Sequence, residues 1–511
     1  MKRILMVTLV AITVLVFGTS GVFAGGGRAR PAEGYRDTVI WAQAADITNI
    51  DPHIGREAVA IQVFTHIYDT LTFRCPATQE ILPSIATRWE QLSPTSWRFF
   101  IREGVRFHDG TFLSGYDVQF SLERALRTPA VAAFSDWIST VTVESRYVVR
   151  IDTRFPYAAI LRQLSMPVLA MLPRHLVEPN NDILLTQPTG TGPFRFVHWR
   201  HGVEAELVAF DDHWRGPPAT RRLIMRVIPE ALQRVIALET GEVDIIYDVH
   251  PSMVRRLQVN PNFVVHNLPS FSYFHVLGNV TRPPFNNPLV RRAISHAIDR
   301  ELLAETIMEG FATPADSPIT PTVFGYHSTG IHRFDPAYSR QLLAQAGFPN
   351  GFTTSFYVSP HPERVEVAQA VTEMLRNVGI DARLEIIEFG TLISRLNAGD
   401  FAFAKMVWTT VIGDADYTFF MNSHSSQHGV GGNFARFSNA RVDDLIMRGR
   451  STANEAERLA IYRELTEVLQ HYVPQIPIFW PDILVGTSAR VSGFNPDPAW
   501  YHWHFYTRVR N

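Results

Sequence analysis

The stretch Arg102-Glu103-Gly104-Val105-Arg106-Phe107-His108-Asp109-Gly110, followed by Ser114-Gly115-Tyr116-Asp117-Val118, decides the fold. Trp97 to Ile101, just ahead of it, is strand-like. Asp109-Gly110 is a turn pair. Ser114 with Asp117 three residues on has the spacing of a capping box. The helix it opens carries Val118, Leu122 and Leu126 on one face and stops at Thr128-Pro129. Strand, turn and capped amphipathic helix thus follow one another directly, the local grammar of an α/β layer.

The same alternation extends outward in both directions. Towards the N-terminus, Thr38 to Ala42 reads as a strand ending before Asp51-Pro52, and Ala58 to Leu71 as a helix. Towards the C-terminus, Thr189-Gly190-Thr191-Gly192-Pro193 is a rigid turn entering a strand at Phe194 to Val197. Glu230 to Thr240 is a helix closed by Gly241, with a strand at Val243 to Tyr247. Asn287 reads as an N-cap with Pro288 in the first turn. Val365 to Val378 is a helix, Arg383 to Ile387 a strand, and Glu455 to Tyr472 a long late helix. No internal repeat is present.

Bulk properties narrow the function. The 511 residues are 46% apolar and 19% charged with net charge −2, which fits two to four lobes. Without a basic stripe, a nucleic-acid partner is not expected. The single cysteine, Cys75, excludes an intramolecular disulfide. Lys2 and Arg3, an apolar run from Ile4 to Phe17, and small residues at Val22-Phe23-Ala24 make residues 1–24 a signal peptide. Residues 25–35 are a flexible leader. The mature chain is expected to be soluble, periplasmic and monomeric.

Several segments together carry a family resemblance: Ile50-Asp51-Pro52-His53, His66-Ile67-Tyr68-Asp69-Thr70-Leu71, the Arg102–Gly110 stretch, and Gly190-Thr191-Gly192-Pro193-Phe194. Leu238-Glu239-Thr240-Gly241-Glu242-Val243-Asp244, Pro283 to Ala293, and Leu342 to Phe348 continue it. In this order the chain resembles the dipeptide-, oligopeptide- and nickel-binding proteins of ABC importers, family 5 of the extracellular solute-binding proteins. The resemblance covers about residues 38 to 505. It implies an α/β, two-lobed periplasmic-binding-protein fold with a hinge and an extra α/β sub-lobe inserted in lobe I. Lobe I is then 36–70, 189–269 and 485–511, the inserted sub-lobe 71–188, and lobe II 270–484. The chain crosses between lobes near Pro269 and near Asp482. The implied partners are a small-molecule ligand and the ABC importer permease subunits.

The ligand is where this chain departs from the pattern. Peptide-binding members follow a Trp, here Trp408, three residues later with an Asp that pairs with the peptide's α-amine. That position here is Val411, and the carboxylates arrive later, at Asp414 and Asp416. The Arg that holds the peptide carboxylate falls at Val358. Charges in a closing cleft need partners, so a dipeptide is disfavoured unless Asp414 or Asp416 and Arg364 replace the two missing groups. A longer peptide, an oligosaccharide or another small metabolite is expected instead. The residues assigned to ligand binding are Trp408, Asp414, Asp416, Tyr417, Tyr357, Phe271 and Tyr273.

No catalytic residue, cofactor or metal site is expected. His424 and His428, and His502 and His504, have metal-ligand spacings but no clear third ligand. No His-Glu-x-x-His and no nucleophile elbow occur in the mature chain. The alternatives are an extracellular hydrolase acting on oligosaccharides through a carboxylate pair, and a ligand sensor for a signalling receptor.

Overall fold

The computed structural model describes residues 34–511 apart from 56, 331 and 430, so the expected signal peptide and most of the leader lie outside the described residues. A mixed sheet of twelve strands, counted among those residues, organises the chain. Ten of them run in the order Ile380–Ile386, Phe352–Val358, Phe403–Thr409, Ser272–Gly278, Ile476–Ser488, Ile245–Ile246, Thr38–Gln43, Arg222–Val227, Glu204–Ala209, Phe194–Arg200, and Phe263–Pro269 and Ala312–Pro314 pair with Ile476–Ser488 off this path.

One strand joins the two halves of that sheet. Ile476–Ser488 pairs antiparallel with Ser272–Gly278 through its first part and with Phe263–Pro269 through its second. Pro269 stands opposite Asp482 in the register. Between the two partner strands, the buried Ser270 hydroxyl donates to the Pro481 carbonyl at 2.5 Å. Each half carries its own apolar core. Phe356, Val358, Val367, Val371, Phe403 and Phe479 fill the space under the helix Pro362–Arg376. Val235, Leu238, Ile246, Val254 and Leu257 form a separate cluster.

A second, four-stranded sheet is built from Ala86–Ser93, Ser96–Ile101, Val148–Thr153 and Ile138–Ser145. The helix Gly115–Arg127 packs on it. The capping box is formed: Ser114 N and its hydroxyl both donate to Asp117 Oδ2, at 2.9 and 2.8 Å. Val118, Leu122 and Ala125 are fully buried, each burial being worth about 1–3 kcal/mol. The expected caps elsewhere also form. Asn287 accepts from Leu289 N at 2.9 Å, and the late helix spans Glu455–Tyr472.

Element bounds shift from expectation in several places, among them the strand read at Val243–Tyr247, which spans only Ile245–Ile246, and two of the shifts have a clear cause. The first helix ends at Ile67, and Tyr68 is already extended. The cause is the Thr189–Pro193 turn, which packs against that helix end. Gly192 N donates to Ile67 O at 2.9 Å. A Cβ would lie 2.1 Å from Ile67 O on Gly190 and 2.6 Å from Ile67 C on Gly192. The strand expected at Arg383–Ile387 begins earlier, at Ile380, immediately after Gly379 turns the chain with φ +93°.

Acidic residues of the segments that carry the family resemblance hold distant parts of the fold together. Asp51 takes both guanidinium nitrogens of Arg124, at 3.1 and 2.6 Å. Asp69 accepts from Thr191 Oγ1 and Trp214 Nε1, both at 3.0 Å. Asp244 accepts from Arg36 at 2.9 Å. Each is an acceptor from a quoted motif that ties down a distant segment.

Candidate functional site

Phe403–Thr409 and Ser272–Gly278 lie side by side with Trp408 opposite Tyr273. From the end of the first strand, residues 410–414 lead into the helix Ala415–Ser423. Asp414 caps that helix by accepting from Asp416 N at 3.0 Å. Trp408 is half-buried and stacks on Tyr417, ring centroids 5.5 Å apart and planes at 23°. Its indole donates to Thr418 Oγ1 at 3.1 Å. Tyr417 stacks in turn on Phe134, at 5.9 Å and 28°.

The remaining assigned residues lie deeper. Phe271 is 1% exposed and holds the 410–414 turn: Thr410 N donates to its carbonyl at 2.8 Å. Tyr273 is 0% exposed; its hydroxyl donates to Gln475 Oε1 at 2.5 Å and accepts from Asn422 Nδ2 at 3.0 Å. Tyr357 belongs to a different apolar cluster, with Leu277, Met406 and Phe434, beneath the Arg395 guanidinium.

Both carboxylates are already engaged inside the chain. Arg458 donates to both oxygens of Asp414, at 2.9 and 2.8 Å. Burial works against the Arg458 charge, but Asp414 outweighs it and the guanidinium is held above its usual range. Asp416 accepts from the Tyr157 hydroxyl at 2.9 Å and faces Arg450 Nε at 3.2 Å. Burial pushes the Asp416 carboxyl up while Arg450 pulls against it. Arg364, named as a replacement carboxylate partner, donates to Ser359 Oγ at 3.0 Å. Val358 is fully buried in the core beneath the helix Pro362–Arg376.

Val411 instead lines a small cavity of about 60 Å³. Phe73, Arg74, Met166, Asp497 and Tyr501 line it as well. Arg74 Nη2 donates to Asp497 Oδ1 at 3.0 Å, with side-chain exposures of 6% and 1%. The same oxygen accepts from Ala499 N at 2.8 Å and Tyr501 N at 3.3 Å. The other nitrogen, Arg74 Nη1, donates to Gln79. The guanidinium lies over the rings of Phe271 and Tyr501, at 5.6 and 5.9 Å. These wall residues escaped sequence reasoning. The only available signal was the aromatic run Trp500-Tyr501-His502-Trp503 beside Asp497.

The histidine pairs are placed separately. His424 caps a short turn through Ser426, and His428 Nε2 lies 3.0 Å from the Phe437 carbonyl. His502 and His504 are enclosed among Tyr247, His66 and Phe494. Among the described residues, no helix is long and apolar enough to cross a membrane.

Comparison with known proteins is consistent along the chain. Residues 80–429 match the family model of bacterial extracellular solute-binding proteins, family 5. The chain is 27% identical over 482 residues to the glutathione-binding protein GsiB of Pectobacterium atrosepticum, covering 91% of this chain and 93% of that protein. It is 25% identical over 468 residues to heme-binding protein A of Haemophilus influenzae, with 85% of each chain covered. Among solved structures it resembles the ABC transporter-associated periplasmic binding protein DppA from Helicobacter pylori, in complex with the peptide STSA. That match has a TM-score of 0.86 and 27% identity, and covers 93% of this chain and 99% of that one.

Proposed function

This chain belongs to the bacterial extracellular solute-binding proteins of family 5, and from that premise we propose that it captures a small ligand outside the cytoplasmic membrane and presents it to an ABC importer permease. The observation that carries the reading is the cavity lined together by Val411, Arg74, Met166, Asp497 and Tyr501. In the proposed division, Val411 belongs to lobe II (270–484). Arg74 and Met166 belong to the inserted sub-lobe (71–188), and Asp497 and Tyr501 to lobe I (36–70, 189–269, 485–511). A space walled by all three is where a closing cleft would hold its ligand. The hinge is the pair of crossings at Pro269 and Asp482, adjacent strands able to bend together.

Trp408 and Tyr417 supply the half-buried aromatic surface of the site. Phe271 and Tyr273 stand behind it, Tyr357 lies in a separate apolar cluster, and Asp414 and Asp416 fix the loop and helix that carry it. The ligand's own chemistry is not transformed; desolvation and matching of its polar groups suffice. Relatives named for binding glutathione and heme, and a solved neighbour in complex with the peptide STSA, support a peptide or comparable small metabolite as the class. The absence of ionic partners at Val358 and Val411 favours a longer peptide or an oligosaccharide over a free dipeptide. The reading also places the mature chain in the periplasm, after removal of a signal peptide at residues 1–24.

A thermal-shift screen of the mature protein against dipeptides, longer peptides and oligosaccharides tests this. A ligand bound only by the folded state raises Tm by mass action. Stabilisation without chemical change of the ligand is the expected result. Turnover of an oligosaccharide into product would overturn it in favour of a hydrolase.

A further inference from the structure

We propose that the Val411 cavity receives an uncharged end of the ligand, a group that both donates and accepts hydrogen bonds, and that the buried Arg74–Asp497 pair reads it. This rests on the capture reading above and deepens it to a ligand class.

The cavity's formal charges cancel. Its ionic lining consists of two carboxylates, Asp69 and Asp497, and two guanidiniums, Arg74 and Arg215. None is left over for a ligand charge. Asp69 is taken by Thr191 and Trp214 and lies 3.4 Å from His213 Nε2. Arg215 spreads over the rings of Phe73, Trp214 and Trp503. Arg74 and Asp497 neutralise each other, and Asp69 and Arg215 balance in sum, so a net charge of either sign entering here finds no unbalanced counter-charge. Either would be desolvated without the partner it needs.

The pair nevertheless keeps hydrogen-bonding capacity. Asp497 spends Oδ1 on Arg74, Ala499 N and Tyr501 N, while Oδ2 accepts from none of the described residues. Arg74 uses one nitrogen on Gln79 and another on Asp497, leaving further N–H donors. A free acceptor and free donors therefore remain on the two members of an ion pair 3.0 Å long. That spacing fits one neutral donor–acceptor group, such as an amide or neighbouring hydroxyls. It does not fit a free dipeptide, whose charged ends lie about two residue lengths apart, roughly 7 Å. The aromatic rings of Phe73, Tyr501 and Trp503 flank the polar pair with flat apolar surface, suited to a sugar face or a peptide side chain. The peptide and sugar sources share this chemistry, and only binding separates them.

The test titrates the mature protein, and its Val411→Asp variant, with three probes: free Ala-Ala, N-acetyl-Ala-Ala-amide and cellobiose. Val411→Asp sets an uncompensated carboxylate on the wall of the same cavity. In the parent, one of the two uncharged probes is expected to bind at least ten-fold tighter than free Ala-Ala; which one identifies the source. In the variant, free Ala-Ala is expected to gain at least ten-fold, its ammonium now having a partner. Circular dichroism of both proteins establishes that the variant is folded. Parent binding of free Ala-Ala tighter than either uncharged probe overturns the proposal while leaving capture intact. So does a folded variant whose Ala-Ala affinity is unchanged while an uncharged probe binds. Failure of all three probes on both proteins counts against the capture reading itself, and the proposal falls with it.

Discussion

Arg458 grips Asp414 with two hydrogen bonds, at 2.9 and 2.8 Å, and the two side chains are 5% and 3% exposed. The pair joins the helix Glu455–Tyr472 to the turn that carries Val411. Removing one partner strands the other charge in an apolar surround. Arg458→Met should therefore cost about 3–5 kcal/mol in urea unfolding. A loss below about 1 kcal/mol would show that the carboxylate finds water or another cation.

Gly192 is a second sensitive point, for steric reasons. A Cβ there would sit 2.6 Å from the Ile67 carbonyl carbon and 2.7 Å from His66 O, both backbone atoms. Neither can rotate away. Gly192→Ala is expected to lower stability by about 1–3 kcal/mol, the cost of overpacking. Gly104 has open space around its Cβ direction but a φ of +77°, so Gly104→Ala makes a useful contrast. It should cost only backbone strain, of order 1 kcal/mol.

Lys405 is the sole lysine beyond Lys2. Its Nζ makes no hydrogen bond among the described residues and lies 3.4 Å from the Phe274 ring centroid. Burial first, then Arg364, pushes its pKa well below the usual value, while Glu363 pulls the other way. Lys405→Met should stabilise the protein at pH 7 by about 1–3 kcal/mol. A folded pKa below the unfolded one means that the parent gains stability as pH rises between the two. The advantage of the variant should therefore shrink from pH 7 to pH 10. A gap that stays constant over this range would refute the assignment.

Acid should unfold the protein cooperatively. His53 and His66 are held at about 4, and His275 and His502 at about 3, chiefly by burial. The unfolded chain protonates them near 6.5, while the folded chain resists. Stability is thus fully present above pH 6.5 and is lost as pH falls towards 4. Each such group contributes about 1.4 kcal/mol per pH unit within that window. Glu363, raised to about 7 by burial, acts in the opposite sense. Urea midpoints at pH 7.5 and 5.0 check the net effect, and equal midpoints would contradict it.

Local chemistry was legible because it acts over a few residues. Ser114 and Asp117, Asn287 and Leu289 N, and the span Glu455–Tyr472 follow from spacing and caps. The chain's departure from the dipeptide pattern at Val358 and Val411 came instead from the family resemblance. The first helix was read too long because nothing within it stops at Ile67. The stop is the backbone of Gly190 and Gly192, which lie more than a hundred residues away.

The sequence by itself determined the family and a share of the elements, while most strands of the large sheet went unread. The tertiary structure alone decided which polar groups are spent and which are free. Asp414 and Asp416 read as carboxylates open to a ligand, yet Arg458, Arg450 and Tyr157 hold them. Arg74 and Asp497, 423 positions apart, meet in the lining of the cavity that Val411 also lines. The physical reason is range. Caps and periodicity act through neighbouring peptide units. A buried charge is satisfied by whichever opposite charge the packed fold brings within about 3 Å, and no spacing along the chain encodes that encounter.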